Sequence, residues 1–215
     1  MTGPGFPPTL ALLHTAASNI ALFDAEADGV RLVHEVRPDL LAAAEAGGGL
    51  TAAIAAAAAD TLVALSARAD AVVLTCSTLG PAVVEAGRRS PVPVIRADAA
   101  LARSAVSGGG HVVALYAAPT TVEATRALFA HAAAGTGARV DTRIVPGAWA
   151  MFQAGRIEDY VRAVARAAGE ALDAGADRVA LAQASMAPAA VHLPGRPVLT
   201  SPARALAEAA ARARR

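Results

Sequence analysis

The one thiol of the chain is Cys76, inside Thr75-Cys76-Ser77-Thr78 and directly after the apolar run Ala71 to Leu74. A short apolar run closed by turn residues reads as a buried strand, here Ala71 to Thr75. In open parallel sheets, ligands bind beyond the carboxyl ends of the strands. Cys76 therefore stands where a nucleophile, acid or base would work. Pro81 follows, and proline is tolerated in a first helical turn because its missing N–H costs nothing there. The spacing predicts strand, turn and helix, with free N–H groups of Ser77 and Thr78 facing an anion. A helix N-terminus also favours the thiolate of a nearby cysteine. A buried structural cysteine is the plainer alternative.

The second half of the chain repeats this wording. With Asp177 aligned on Asp70, Val73-Leu74-Thr75-Cys76 falls on Ala180-Leu181-Ala182-Gln183. In the same register Pro81, Ala82 and Val84 meet Pro188, Ala189 and Val191. Pro93-Val94-Ile95 finds its echo in Pro197-Val198-Leu199. Such self-similarity implies one unit used twice. Gln183 then occupies the place of Cys76, and the N–H groups of Ala184 and Ser185 form a second anion-binding turn. Two such turns lining a cleft between the units suit a small carboxylate.

The elements that must position these residues alternate. Strands are expected at Leu10–His14, Arg31–Val36, Ala71–Thr75 and Val92–Arg96, then at His111–Tyr116, Arg139–Val145, Arg178–Ala182 and Pro197–Leu199. Helices are expected at Leu50–Arg68, Pro81–Arg88, Asp98–Val106, Thr120–Ala134, Ile157–Ala174, Pro188–His192 and Pro202–Arg215. Alternation of this kind means an α/β fold with parallel sheets, here as two Rossmann-like lobes. The Gly108–Gly110 run marks the joint. Residues 1–106, joined by the C-terminal helix 202–215, make the first lobe, and 107–201 the second.

Composition excludes several chemistries. The net charge of +1 predicts neither a nucleic-acid nor a membrane partner. No lysine is present, since all 19 basic residues are arginine. Schiff-base catalysis and a lysine-bearing phosphate loop are therefore out. One cysteine makes neither an internal disulfide nor a multi-cysteine zinc site, and the five histidines show no close metal-ligand spacing. No apolar run approaches a membrane span, and Met1 to Pro8 lacks a basic leader pattern. A cytoplasmic protein is expected.

The motifs resemble the aspartate/glutamate/hydantoin racemase superfamily over nearly the whole chain. The resemblance rests on Ala69-Asp70 through Cys76-Ser77-Thr78 and on Ala176-Asp177 through Gln183-Ala184-Ser185-Met186. It also rests on Leu13-His14-Thr15 with Ser18-Asn19, and on Ala118-Pro119-Thr120-Thr121. It implies two lobes related by a pseudo-twofold axis, no cofactor, and often a homodimer. A cysteine from each lobe works on opposite faces of the carbon beside a substrate carboxylate. Cys76 matches the first-lobe cysteine, Ser77 and Thr78 the carboxylate-binding turn, and Thr120 and Thr121 the second-lobe binding threonines. Thr15, Ser18 and Asn19 match the first-lobe loop more loosely, and Ala184 and Ser185 follow the second-lobe position. That position holds Gln183, whose amide does not titrate near neutrality but can donate to a developing oxyanion.

A single thiol leaves three readings open. The first is racemase- or isomerase-type carbon-acid chemistry. The second is one-sided decarboxylation of the kind known for arylmalonates. The third is a non-catalytic carboxylate-binding protein. His14, His192 and Tyr116 are alternative second proton carriers, although structural roles are commoner for each. Trp149 and Phe152 could wall a substrate or pack in the core. Arg96 could meet a second substrate carboxylate, and an ion pair is its commoner fate.

Overall fold

The computed structural model describes residues 6–214. Met1–Gly5, most of the segment read for a leader pattern, and Arg215, the last residue of the expected terminal helix, lie outside the described residues. By contacts the chain divides into two compact units. One runs through Ala97 and resumes at Ala205; the other is Asp98–Arg204.

The first unit carries strands β1 (Thr9–His14), β2 (Arg31–Val36), β3 (Ala71–Leu74) and β4 (Val94–Arg96). They form one parallel sheet in the order β2-β1-β3-β4. The central strands are buried along almost their whole length, as expected when helices cover both faces of a parallel sheet. Ala11, Leu13, Val72 and Leu74 pack on one face with Leu62 and Leu65 of α3 (Ala52–Ser66). The hydroxyl of Thr51 accepts from the Ile54 N–H and caps that helix. Three further helices complete the stretch through Arg89: α1 (Asn19–Asp24), α2 (Pro38–Ala46) and α4 (Ala82–Arg89).

The second unit repeats this topology. Strands β5 (Gly110–Tyr116), β6 (Ala138–Ile144), β7 (Arg178–Leu181) and β8 (Val198–Thr200) are parallel in the order β6-β5-β7-β8. Its helices are α5 (Ala97–Val106, from Asp98), α6 (Val122–Ala133), α7 (Ala148–Gln153) and α8 (Ile157–Asp173). Short 3₁₀ segments span Pro119–Thr121 and Ala184–His192. The last helix, α9 (Ser201–Ala213), begins in this unit and belongs from Ala205 onward to the first.

Both central strand pairs start on the same device. Asp70 accepts from the Thr9 N–H at 2.7 Å, and Asp177 accepts from the His111 N–H at 2.6 Å. Gly110 has a φ of 76°, and a Cβ there would collide with the Asp177 carboxylate. Only glycine meets both conditions.

Three expectations are corrected. Residues 98–106, assigned above to the first lobe, group with the second unit. There Leu101, Ala102 and Ala105 pack with Val112, Ala114 and Phe129. Helices α1 and α2 were not anticipated as helices. The helix expected to begin near Pro188 is a 3₁₀ segment that already starts at Ala184 and carries Pro188 inside it. A proline in the interior of an α-helix would lose a hydrogen bond and clash with the preceding turn.

Candidate functional site

In the first unit, Cys76 follows the carboxyl end of β3 and is half-buried against the α3 face of the core. The Thr75 N–H donates to the Leu13 carbonyl at 3.0 Å, tying this end of β3 to β1. Ser77 and Thr78 lie in the turn that follows, closed by the Gly80 N–H donating to the Ser77 carbonyl at 3.0 Å. Helix α4 starts only at Ala82. The turn carrying Ser77 and Thr78 thus precedes the helix as expected, with the helix beginning one residue after the expected Pro81.

Gly80 has a specific neighbour. Arg96 closes β4 and pairs in register with Leu74, and its guanidinium lies where a Cβ of Gly80 would be. A cation therefore covers the turn after Cys76, and only a residue without a side chain admits it. Arg96 was expected as a substrate partner or an ion-pair member; its packing on Gly80 was not.

Thr15 is 8% exposed and follows β1. Among the described residues, no hydrogen-bond acceptor meets the N–H of Thr15 or of Ala16. Ser18 is exposed and makes no side-chain cap to α1; Asn19 is the first residue of that helix.

In the second unit, Gln183 sits past β7 where Cys76 sits past β3, since Leu115–Leu181 repeats the register of Leu13–Leu74. Its Oε1 accepts from the N–H groups of Ala117 (2.6 Å) and Ala118 (3.0 Å). Ala117 and Ala118 correspond in register to Thr15 and Ala16. Two donors on the oxygen fix which way the amide points, leaving Nε2 to donate.

The other expected residues of this unit are engaged locally. The Thr121 hydroxyl donates to the Ala118 carbonyl at 2.9 Å. Thr120 lies in the 3₁₀ turn Pro119–Thr121, and its side chain lies outside what is described. Ala184 opens the longer 3₁₀ segment. Ser185 meets the hydroxyl of Tyr160 at 2.9 Å. Tyr160, on α8, is 1% exposed, and burial pushes its phenol up to about 12. It stays neutral and serves as a hydrogen-bond partner. Phe152 packs on the core, the role observed for it, and stacks with the half-buried Trp149 at 5.5 Å. Tyr116 is buried at the end of β5, and His192 is exposed.

The first unit also holds a chain of polar groups that the sequence did not disclose as a whole. His14, 0% exposed, has Nδ1 2.9 Å from Thr75 Oγ1 and Nε2 2.9 Å from His34 Nδ1. His34 Nε2 lies 3.0 Å from Asp24 Oδ1. Thr75 Oγ1 is also 3.1 Å from the Leu13 carbonyl. Burial first, and then the neighbouring His34, lower the His14 imidazole to about 4, with Asp24 opposing.

Among the described residues, no group of three or more His, Cys, Asp or Glu side chains is placed to hold a metal ion, and no helix is long and apolar enough to cross a membrane.

The chain carries one α/β topology twice, with a thiol past a central strand of the first unit. The model of the Asp/Glu/hydantoin racemase family matches residues 21–210, and the chain belongs to that family. Solved structures share the fold at low identity. An aspartate racemase from Picrophilus torridus is 15% identical, covers 95% of this chain and 94% of its own, and has a TM-score of 0.65. An allantoin racemase from Klebsiella pneumoniae is 15% identical over 95% of this chain and 86% of its own, with a TM-score of 0.69. An arylmalonate decarboxylase is 16% identical over 96% and 92%, with a TM-score of 0.62. Among curated proteins, no sequence matches the chain significantly.

Proposed function

We propose that this chain catalyses cofactor-independent proton transfer at the carbon beside a small substrate's carboxylate, with Cys76 as its only thiol acid or base. One observation carries the reading. The paired N–H groups past β5 are filled by the oxygen of Gln183, whereas the matching pair at Thr15 and Ala16 has no acceptor among the described residues, and Cys76 stands at the position of Gln183. Two backbone donors beside a thiol suit a carboxylate or an enediolate oxygen. Ser77 and Thr78 add further donors on the same edge, and the Arg96 cation over Gly80 places positive charge there.

In the forward step a thiolate takes the proton from the carbon, and the electron pair moves into an enediolate whose oxygens the N–H groups hold. Return of the proton from the thiol restores the carbon acid. Gln183 contributes a hydrogen bond and no proton. Deprotonation and return through one thiol are therefore one-sided. Decarboxylation is the second version, favoured by the same single thiol: carbon dioxide leaves with its bond electrons kept on the substrate, and the thiol protonates the enediolate.

Incubation in heavy water with aspartate, glutamate, allantoin and an arylmalonate tests both versions. Deuterium at the carbon beside the carboxylate (in allantoin, the ring carbon beside the carbonyl), or release of carbon dioxide, is expected. The loss in Cys76→Ala should be about 10²- to 10⁴-fold. Equal rates of deuterium entry into both enantiomers would sink the one-sided mechanism. Turnover unchanged in Cys76→Ala would remove the thiol from the mechanism, and no turnover with any of these compounds would leave a carboxylate-binding protein.

A further inference from the structure

Four hydrogen bonds run in series through the first unit: Asp24 to His34, His34 to His14, His14 to Thr75, and Thr75 to the Leu13 carbonyl. Their protons can be counted. An ionised Asp24 accepts, so His34 carries a proton on Nε2. If His34 is otherwise neutral, its Nδ1 accepts from His14 Nε2–H. His14 is kept neutral by burial, so its Nδ1 then accepts, and the Thr75 hydroxyl must donate to it. In that arrangement the Leu13 carbonyl receives nothing from the hydroxyl. If His34 is an imidazolium, the bond to Asp24 keeps its direction and the two bonds beyond it reverse. His34 Nδ1–H donates to His14, His14 Nδ1–H donates to Thr75 Oγ1, and the hydroxyl donates to Leu13.

The two arrangements differ by one proton, and the network passes between them by short hops. A proton reaching Thr75 Oγ1 releases the hydroxyl proton to His14 Nδ1. The Nε2 proton of His14 then moves to His34 Nδ1. Only O–H and N–H bonds change, and the added charge ends on His34 facing the Asp24 carboxylate. His34 is 16% exposed and Asp24 55% exposed, so that end opens to solvent. The groups packed on the two rings are Phe23, which meets His14 edge-on at 5.4 Å, together with Asp24 and Thr75. Glu35, next to His34, is paired with Arg68.

We propose that Asp24, His34, His14 and Thr75 form a proton relay that stores and returns the proton handled at Cys76, the residue after Thr75. The proposal rests on the reading of Cys76 as the acid or base. With one thiol and a non-titrating Gln183, each decarboxylation leaves a thiolate that must regain a proton, and the relay is the ordered source on the same strand end. Thr75 and Cys76 are consecutive residues past the end of β3, and the link to the thiol that the proposal requires is a water bridging Thr75 Oγ1 and the Cys76 Sγ. His14 and His34 are positioning residues that touch no substrate.

The test needs no substrate. In the full chain, the ring ¹⁵N signals of His14 and His34 are followed over the range where histidines titrate, about pH 5–8. As His34 takes its second proton, His14 should switch from the Nε2–H to the Nδ1–H tautomer. Thr75→Val should lose the switch. Alkylation of Cys76 by iodoacetamide should show an inflection at the pH of the His34 titration, absent in His34→Gln. In Asp24→Asn, a surface change that leaves the fold intact, the inflection should move with His34. A His14 that keeps one tautomer throughout overturns the relay, and so does an alkylation inflection that survives in His34→Gln. If the switch and the inflection hold while no acid is turned over, the catalytic reading falls and the coupling stands.

Discussion

The two units share strand order, register and the Asp-to-strand clamp, yet their carboxyl edges are built for different work. At the end of β1 stands His14, and its counterpart on β5 is Tyr116. Thr75 corresponds to Ala182, and His34 on β2 to Thr142 on β6. Every titrating or hydroxyl member of the first unit's network past Asp24 therefore meets a residue that cannot pass a proton in the same way. Cys76 meets Gln183, Gly80 meets Ala187 and Arg96 meets Thr200. In the proposed reading the first unit moves a proton, whereas the second holds fixed hydrogen bonds, Gln183 to main-chain amides and Ser185 to a neutral Tyr160. A repeated scaffold supplies two equal edges, and a few side chains decide what each edge does.

The sharpest way to break this comparison is acid. His14 falls from about 6.5 in the unfolded chain to about 4 in the folded one. Below pH 6.5 the unfolded chain binds the extra proton first, so stability falls as pH drops and the loss is complete below pH 4. The shift corresponds to about 3 kcal/mol. His14→Gln, neutral at every pH, should flatten the dependence by about that amount between pH 7 and 4 in urea titrations. Equal slopes for the two proteins would mean that His14 is not held neutral. Tyr116→Phe at the matching position of the second unit should leave the acid slope unchanged.

The second test lies in the other unit. Ala117 and Ala118 are buried, and their N–H groups rely on Gln183 Oε1. Gln183→Leu strands both donors and should cost about 2 kcal/mol, since each orphaned buried donor costs about 1–3 kcal/mol and water offsets part of it. Gln183→Glu keeps an acceptor and should stay near wild type in the same denaturation measurement. The counterpart, Cys76→Ala, should cost less stability than Gln183→Leu while costing far more activity. The opposite ranking would invert the roles assigned to the two units.

The sequence made the repeat and the paired positions Cys76 and Gln183 legible, because central strands buried on both faces are written as continuous apolar runs. Strand β2 ran from Arg31 to Val36 as expected, and the other strands shifted by no more than two residues at either end. Short helices were less legible. Helix α1 has no side-chain cap, and α2 has only Pro38 and Asp39 as a start signal. The site was legible as positions and not as bonds. The direction of the Gln183 amide is set by main-chain donors 65 and 66 residues away. His34 and Asp24 join His14 only because β2 lies beside β1 and α1 ends over it. No local spacing announces such partners.

Gly80 and Arg96 give the smallest effect and the cleanest coupling. A Cβ on Gly80 would overlap the Arg96 guanidinium, whereas the second unit carries Ala187 and Thr200 at these positions and tolerates the methyl group. Overpacking costs about 1–3 kcal/mol. The obstacle here is the far end of a flexible side chain that can swing aside, so Gly80→Ala should cost about 1 kcal/mol in chemical denaturation. Arg96→Thr has its own cost, because Arg96 makes other interactions. The double variant separates the two. If the overlap is the cause, Gly80→Ala in the Arg96→Thr background should be nearly neutral, a coupling of about 1 kcal/mol between contacting residues. The single Gly80→Ala variant should also slow turnover, because the displaced cation no longer covers the turn after Cys76. Additive costs in the cycle would show that the methyl group is met by something other than Arg96, and the matched pair Gly80–Arg96 against Ala187–Thr200 would lose its meaning.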